Sequence, residues 1–457
     1  MHRLAVYLSI FSAVGMSSCT VKQAKYTDLE PSPLVKNYVH PSLESKKTNE
    51  FSEHANDEKL SGPITLHQAL SLAIAKNPEL EVFSFEVRAA ESREQQAGLF
   101  SNPELEIEIE DFAGEGDLSG FSGAESTLAI GQLIELGGKR GKRERVASLS
   151  KRLQDWNYES KRLDVFTKTS RAFIDVLVLQ RRLALANESL DLSKKMHNLV
   201  SEKVEAGKES PLEKTKADVM LSTTQIVELS IAKQLEAARK TLASFWGDSF
   251  AEFSNVEGDL ETLYSLPPIE TLTPLISQNP DIRSLNVALE LRESEVVLAE
   301  SSRVPDVTLR GGIKRFEETS DYGFAVGISV PLGIFDRNQG GIQEARHNMA
   351  STRSLKNAEK IRIEAELIAA YQELSSAYYQ ATTLKNTVMP AASSALEASS
   401  EGYTQGKLEY LDVLDAQRTL YEVKSQYIQS LSSYHKATIE VERRIGQRIY
   451  KETSYVR

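Results

Sequence analysis

Asp412 and Asp415 are the residues of this chain whose type and spacing most invite chemistry. They stand three apart in Leu411-Asp412-Val413-Leu414-Asp415-Ala416, so on a helix they share one face. Carboxylates held close together raise one another's pKa and attract cations. Both also follow Gly406 closely, which predicts a place in the first turns of a helix, where carboxylates favour the positive end of the dipole. Capping accounts for Asp412 in full and for Asp415 only in part. Little else invites chemistry. The seven histidines, at 2, 40, 54, 67, 197, 347 and 435, form no pair at ligand spacing, and the only cysteine is Cys19. No metal and no other cofactor is expected. Gly137-Gly138-Lys139-Arg140-Gly141-Lys142-Arg143 looks suited to phosphate, but Arg140 stands where a P-loop needs Ser or Thr, so it reads as a basic strand-to-helix turn at a membrane interface. With no nucleophile elbow and no dinucleotide fingerprint either, the chain does not read as an enzyme.

The elements that must position the aspartates occur twice. Asn77-Pro78-Glu79-Leu80 recurs as Asn279-Pro280-Asp281-Ile282, Pro103 as Pro305, Leu136-Gly137 as Leu332-Gly333, and Ala206-Gly207-Lys208 as Gln405-Gly406-Lys407. The copies lie about 200 residues apart, far too long a period for a solenoid unit. Each half reads as helix, two strands, very long helix, glycine turn, returning helix.

In Glu104-Leu105-Glu106-Ile107-Glu108-Ile109-Glu110 the alternation is strict, with Leu105, Ile107 and Ile109 on one face and Glu104, Glu106, Glu108 and Glu110 on the other. Leu128, Ile130, Ile134 and Leu136 alternate down a return strand. In the second half Val307, Leu309 and Ile313 are followed by Tyr322, Phe324, Val326, Ile328, Val330 and Leu332, the last set opposed by Gly323, Ala325, Gly327, Ser329 and Pro331. An apolar face backed by small or polar residues is the pattern of a transmembrane barrel strand. Four strands cannot close a barrel, since the smallest common ones need about eight; three copies supply enough.

After each hairpin comes a long stretch of helical pattern. Residues 140–205 hold no proline and one glycine near the start, giving ~100 Å of helix if continuous. Residues 341–403 are equivalent, with a coiled-coil-like seam of Leu367, Tyr371, Leu374, Tyr378, Ala381, Leu384 and Val388, and Pro390 should kink them. Returning helices are expected over 211–245 and 408–445. A single helix is expected from Leu66 to Phe100, ended by Pro103.

The net charge of −11 argues against a nucleic-acid partner. No run of about 18 apolar residues exists to make a transmembrane helix, so a membrane crossing must use strands. His2 and Arg3 precede an apolar stretch from Leu4 to Met16 that ends in Met16-Ser17-Ser18-Cys19, a short export signal similar to a lipobox, with Cys19 as the lipidated residue. The expected organisation is a signal peptide (1–18), a lipidated polar linker (19–60), a first repeat (61–246, strands 104–110 and 126–136), an inter-repeat segment (247–275), a second repeat (276–446, strands 306–317 and 322–332) and a tail (447–457).

These residues resemble the TolC-type outer-membrane factors, and within them the CzcC-like heavy-metal efflux branch. The resemblance runs from Thr65 to Gly446. It rests on Asn77-Pro78-Glu79-Leu80, the Leu136-to-Arg140 turn, Ala206-Gly207-Lys208-Glu209-Ser210-Pro211-Leu212-Glu213, Pro305-Asp306-Val307-Thr308-Leu309, Arg315-Phe316-Glu317-Glu318, Pro331-Leu332-Gly333-Ile334-Phe335-Asp336-Arg337-Asn338-Gln339-Gly340, Gly402-Tyr403 and the Leu411-to-Gln417 segment. It implies an α+β membrane protein of the Gram-negative outer membrane. As a homotrimer it closes a twelve-stranded β-barrel continuous with a long periplasmic helical barrel. The implied activity is that of a passive exit duct in a tripartite RND-type efflux system, for heavy-metal cations of the cobalt, zinc and cadmium type. The implied partners are a periplasmic adaptor (membrane fusion protein), a proton-driven inner-membrane pump and outer-membrane lipid.

By the same resemblance Asp412 and Asp415 ring the periplasmic aperture, Tyr403 is a gate tyrosine, and the turns of Gly207, Lys208, Gly406 and Lys407 meet the adaptor. Leu408 stands where the family's best-known member has an arginine lock, so closure here is expected to rest more on packing. The four glutamates of 104–110 should give a negative lumen, offset in part by Arg310 and Lys314. A duct for multidrug efflux or type I secretion is the alternative within this class. A periplasmic coiled-coil lipoprotein without a channel is the alternative outside it, and it leaves the alternating strands without a use.

Overall fold

The computed structural model describes residues 62–450. The first half comprises β1 (Ile64–Thr65), α1 (Leu66–Lys76), α2 (Pro78–Ala97), β2 (Glu104–Glu110), β3 (Glu125–Ile134), α3 (Lys139–Glu205) and α4 (Pro211–Ser244). A connecting stretch carries β4 (Val256–Glu257) and α5 (Ile269–Leu272). Then α6 (Pro280–Ser301), β5 (Val307–Phe316), β6 (Asp321–Ser329), α7 (Gln339–Thr383), a π-turn (Leu384–Val388), α8 (Met389–Thr404) and α9 (Tyr410–Ile445) repeat the order of the first half. No helix among the described residues is long and apolar enough to cross a membrane. The signal, Cys19 and the linker lie outside the described residues.

The long helix is real: α3 runs 67 residues without interruption. Its middle third is buried nearly all round, with Phe173, Val176 and Leu177 meeting Leu242, Trp246, Phe253 and Leu431 in the largest core cluster. The α7 seam buries Leu367, Leu374 and Ala381, against Tyr434, Ala437 and Val441 of α9 for the first two. Val388 departs from the seam and is exposed. The reason is the π-turn: Pro390 has no N–H to give to the preceding turn, and the helix widens by a residue instead of breaking, which rotates the apolar stripe.

The expected helix from Leu66 to Phe100 is two helices, and the second ends at Ala97. Asn77 is extended because it precedes Pro78, and its side chain caps α2 by accepting from the N–H groups of Glu79 (3.0 Å) and Leu80 (3.1 Å). Strand β6 likewise stops at Ser329, short of the expected 332, since Pro331 cannot donate to a ladder.

The same motif works twice. The Asn77 amide donates to the Phe245 carbonyl just past α4 (2.8 Å), and the Asn279 amide donates to the Arg443 and Arg444 carbonyls at the end of α9 (2.9 Å each). Asn279 also accepts from the Asp281 N–H at 2.8 Å. One side chain thus caps the start of one helix and satisfies the orphaned carbonyls of another. Asn279→Ala strands these buried groups and should lower unfolding stability by about 2–4 kcal/mol. Denaturant unfolding of the detergent-solubilised protein checks this, and an unchanged midpoint refutes the coupling.

Candidate functional site

The two hairpins join into one antiparallel sheet of order β2-β3-β5-β6, so among the described residues β2 and β6 are open edges. The register places Ile107 opposite Leu128, Leu128 opposite Ile313, and Ile313 opposite Phe324. A single apolar face therefore runs across all four strands. Nothing among the described residues covers it: Phe324 is 91% exposed and Val326 86%. Such a face is far too apolar for water.

On the other face, Glu106, Ala129, Gly312 and Ala325 form one row across the sheet, and Glu104, Gly131, Arg310 and Gly327 the next. The small residues leave room for long side chains. Arg310 reaches over Gly131 to Glu106 (3.1 Å), and Lys314 pairs with Glu110 (3.2 Å) and with Glu125. Gly312 is obligatory, because a Cβ there would lie 2.5 Å from the Leu128 carbonyl oxygen. The structure thus brings Arg310 and Lys314 onto the glutamate face, while Glu104 and Glu108 make no ion pair among the described residues. Glu125 was not singled out from sequence; only the register reveals that it shares Lys314.

At the far end of the helices, both glycine turns are built alike. Gly207 (φ +69°) and Gly406 (φ +72°) adopt the left-handed conformation. The N–H of Lys208 then reaches the Lys203 carbonyl and that of Lys407 the Gly402 carbonyl, at 2.8 Å each. All four turn residues, Gly207, Lys208, Gly406 and Lys407, are exposed.

Asp412 and Asp415 are both exposed on α9. Asp412 is the helix cap expected of it: its carboxylate accepts from the Glu409 N–H at 3.0 Å, completing a reciprocal box with the Glu409 side chain. Asp415 makes no hydrogen bond or ion pair among the described residues, so capping does not explain it.

Tyr403 lies differently from what a gate at an open surface would require. Its ring is fully buried between the two helical hairpins, beside Met196, Val200, Ala217, Tyr410 and Val413. Burial first, with the nearby Glu209 carboxylate second, pushes its hydroxyl up to about 12, so it stays neutral. The Lys203 ammonium sits 3.6 Å from the centre of that ring and donates to the Tyr403 carbonyl at 2.8 Å. Leu408 packs on Gly402 with an apolar side chain and offers no polar arm. Lys203 was missed in sequence, as were Ser193 and Gln417, which hydrogen-bond at 2.9 Å between α3 and α9. Glu188–Lys424 (2.9 Å) and Asp164–Arg443 (2.8 Å) continue this antiparallel ladder toward the sheet. Exposed ties such as Glu188–Lys424 add little stability and chiefly fix register. Among the described residues, no group of three or more His, Cys, Asp or Glu is placed to hold a metal.

A family model described as outer membrane efflux protein matches residues 69–248 and 272–447. The chain is 33% identical over 387 residues to the cobalt-zinc-cadmium resistance protein CzcC of Cupriavidus metallidurans, covering 85% of this chain and 91% of that one. It is 26% identical over 309 residues to the nickel-cobalt-cadmium resistance protein NccC of Alcaligenes xylosoxydans xylosoxydans, covering 66% and 67%. Among solved structures, the outer membrane protein VceC of Vibrio cholerae superposes with a TM-score of 0.71 at 17% identity, over 84% of this chain and 97% of that one.

Proposed function

This chain belongs to the outer membrane efflux protein family, and from that premise we propose that it is the trimeric, passive exit duct of a tripartite pump for heavy-metal cations. The observation that carries the reading is the bare apolar face of a four-stranded sheet with two open edges. Neither the face nor the edges are tolerable in a lone chain in water. Three copies joined β6 to β2 give about twelve strands, enough to close a barrel in a bilayer. The helices then hang as a periplasmic tunnel. The cargo is taken from the similarity to CzcC and NccC, whose names state cobalt, zinc, cadmium and nickel resistance.

In this assembly the glutamate face lines the lumen, and Asp412 and Asp415 of three copies surround the inner mouth. The glycine turns, with Lys208 and Lys407, contact a periplasmic adaptor that connects to an RND pump in the inner membrane. Tyr403 acts as a gate from within, holding the two hairpins together with Lys203 rather than lining the mouth. Purified protein run on gels with and without heating, followed by conductance in planar bilayers, tests the assembly. A heat-stable monomer band or a silent bilayer rejects it. Cargo is tested by metal tolerance of a deletion strain, where unchanged tolerance to cobalt, zinc and cadmium rejects metal export.

Cys19 anchors the mature chain by acylation in this reading. Cys19→Ala should abolish fatty-acid labelling and slow assembly, with part of the protein still inserted, because lipid chains alone anchor weakly compared with a barrel. Absence of label on the unaltered protein removes the lipid anchor from the scheme.

A further inference from the structure

All four strand–helix junctions of the sheet lie at one end, and they share an unusual surface. Phe335 is 90% exposed and Phe100 73%, with Leu332 and Ile334 exposed beside Phe335 along the chain. Leu332 follows β6 by three residues, so this exposed apolar stretch leads directly on from the strand whose Phe324, Val326 and Ile328 are bare. The β3–α3 turn and the β6–α7 turn both seat on the end of α6: a Cβ on Gly137 would meet Val304 at 3.2 Å, and the Asn338 amide donates to the Ala299 carbonyl at 2.9 Å.

Cations crowd the same segments. Lys139, Arg143 and Arg346 are paired, with Asp306, Glu135 and Glu300. Arg140, Lys142, Arg303 and Arg337 make no ion pair among the described residues. Arg140 lies over the Phe100 ring at 4.0 Å and donates to the Gly98 carbonyl at 3.2 Å, and among the described residues the Arg337 guanidinium donates only to the Gly333 carbonyl, at 3.0 Å. Against these four stand Glu144, Asp336 and Glu344 at the helix starts and Glu104 at the start of β2, none of them in an ion pair among the described residues. Helix stability does not explain the basic run, since the first turn of α3 has no acidic residue and cations there oppose the dipole.

We propose that this junction is a belt that binds the anionic phospholipid headgroups of the leaflet facing the helices. The exposed aromatics enter the acyl boundary and the four unpaired cations meet phosphate, as juxtamembrane basic residues do. The proposal rests on the barrel reading given above.

The test reconstitutes the full-length protein into vesicles of phosphatidylethanolamine, with or without an equal share of phosphatidylglycerol, and counts retained lipid by native mass spectrometry. The unaltered trimer should retain phosphatidylglycerol over phosphatidylethanolamine. Each cation replaced by glutamine should lower that preference about fivefold, with the set Arg140→Gln, Lys142→Gln, Arg303→Gln and Arg337→Gln abolishing it. If the fourfold variant fails to assemble, Lys142→Gln and Arg303→Gln singly carry the test. Equal retention of the two lipids by intact trimers overturns this proposal alone. Displacement of the lipid by inorganic phosphate also overturns it, in favour of a free-phosphate site. Failure to form trimers in any vesicle overturns the barrel reading and the belt with it.

Discussion

Val326→Arg or Ile328→Arg removes most folded trimer from the outer membrane, whereas Ala325→Arg leaves it nearly intact. Val326 lies opposite Gly311 on the bare apolar face, and its side chain has no cover among the described residues. An arginine on the lipid side near the midplane costs ~2–4 kcal/mol. Each trimer carries that penalty three times, against a total stability of only ~5–15 kcal/mol for an ordinary domain. Ala325 is one residue away and points oppositely, into the row of Ala129 and Gly312, where small neighbours leave space and Arg310 already shows that an arginine fits on that face. Its arginine should lower conductance and cation preference instead. Heat-modifiability on gels reads the first effect and single-channel recording the second. Equal loss of trimer from both faces would refute the assignment of sides.

The second large effect is at the other end of the molecule. Replacing Asp412 and Asp415 together by alanine removes six carboxylates from the mouth of the proposed trimer, and charged rings set pore selectivity. Cation preference should fall sharply, and block by divalent metal from the helical side should weaken by about tenfold or more, the equivalent of ~1.4 kcal/mol. Assembly should survive, because losing a carboxylate at a helix start costs only ~0.5–1 kcal/mol per site. The two singles separate the roles. Asp412 is committed to the Glu409 N–H, so its removal should act mainly on stability of the turn. Asp415 has no partner among the described residues, so Asp415→Ala should carry most of the change in block. Wild-type selectivity in the double mutant would make both residues simple helix caps and place the filter elsewhere.

Much of this was legible locally. The period-2 alternation of Glu104 to Glu110 defined β2 to the residue, because the two faces of a strand are written in consecutive letters. The absence of proline between 140 and 205 gave α3 within a residue at each end, and Gly207 and Gly406 located both turns, because only glycine takes that backbone conformation without strain. Local signals also misled. The helical periodicity through Leu66 to Phe100 hid the break at Asn77, where the proline rule on the preceding residue outweighs amphipathic pattern.

What the chain could not disclose by itself is partnership. That β3 pairs with β5, that Lys314 meets Glu125 as well as Glu110, and that Asn279 closes α9 are facts about residues far apart in sequence. The lysine at the tip is the sharpest case. Lys203 is an unremarked basic residue in the last turn of a helix until folding sets it over the ring of Tyr403, 200 positions away. Periodicity and turn chemistry act over a few residues, so they settle which element forms and which way each side chain faces. Which faces meet is decided by burial and register over the whole chain, and that information exists only once the two halves are packed together.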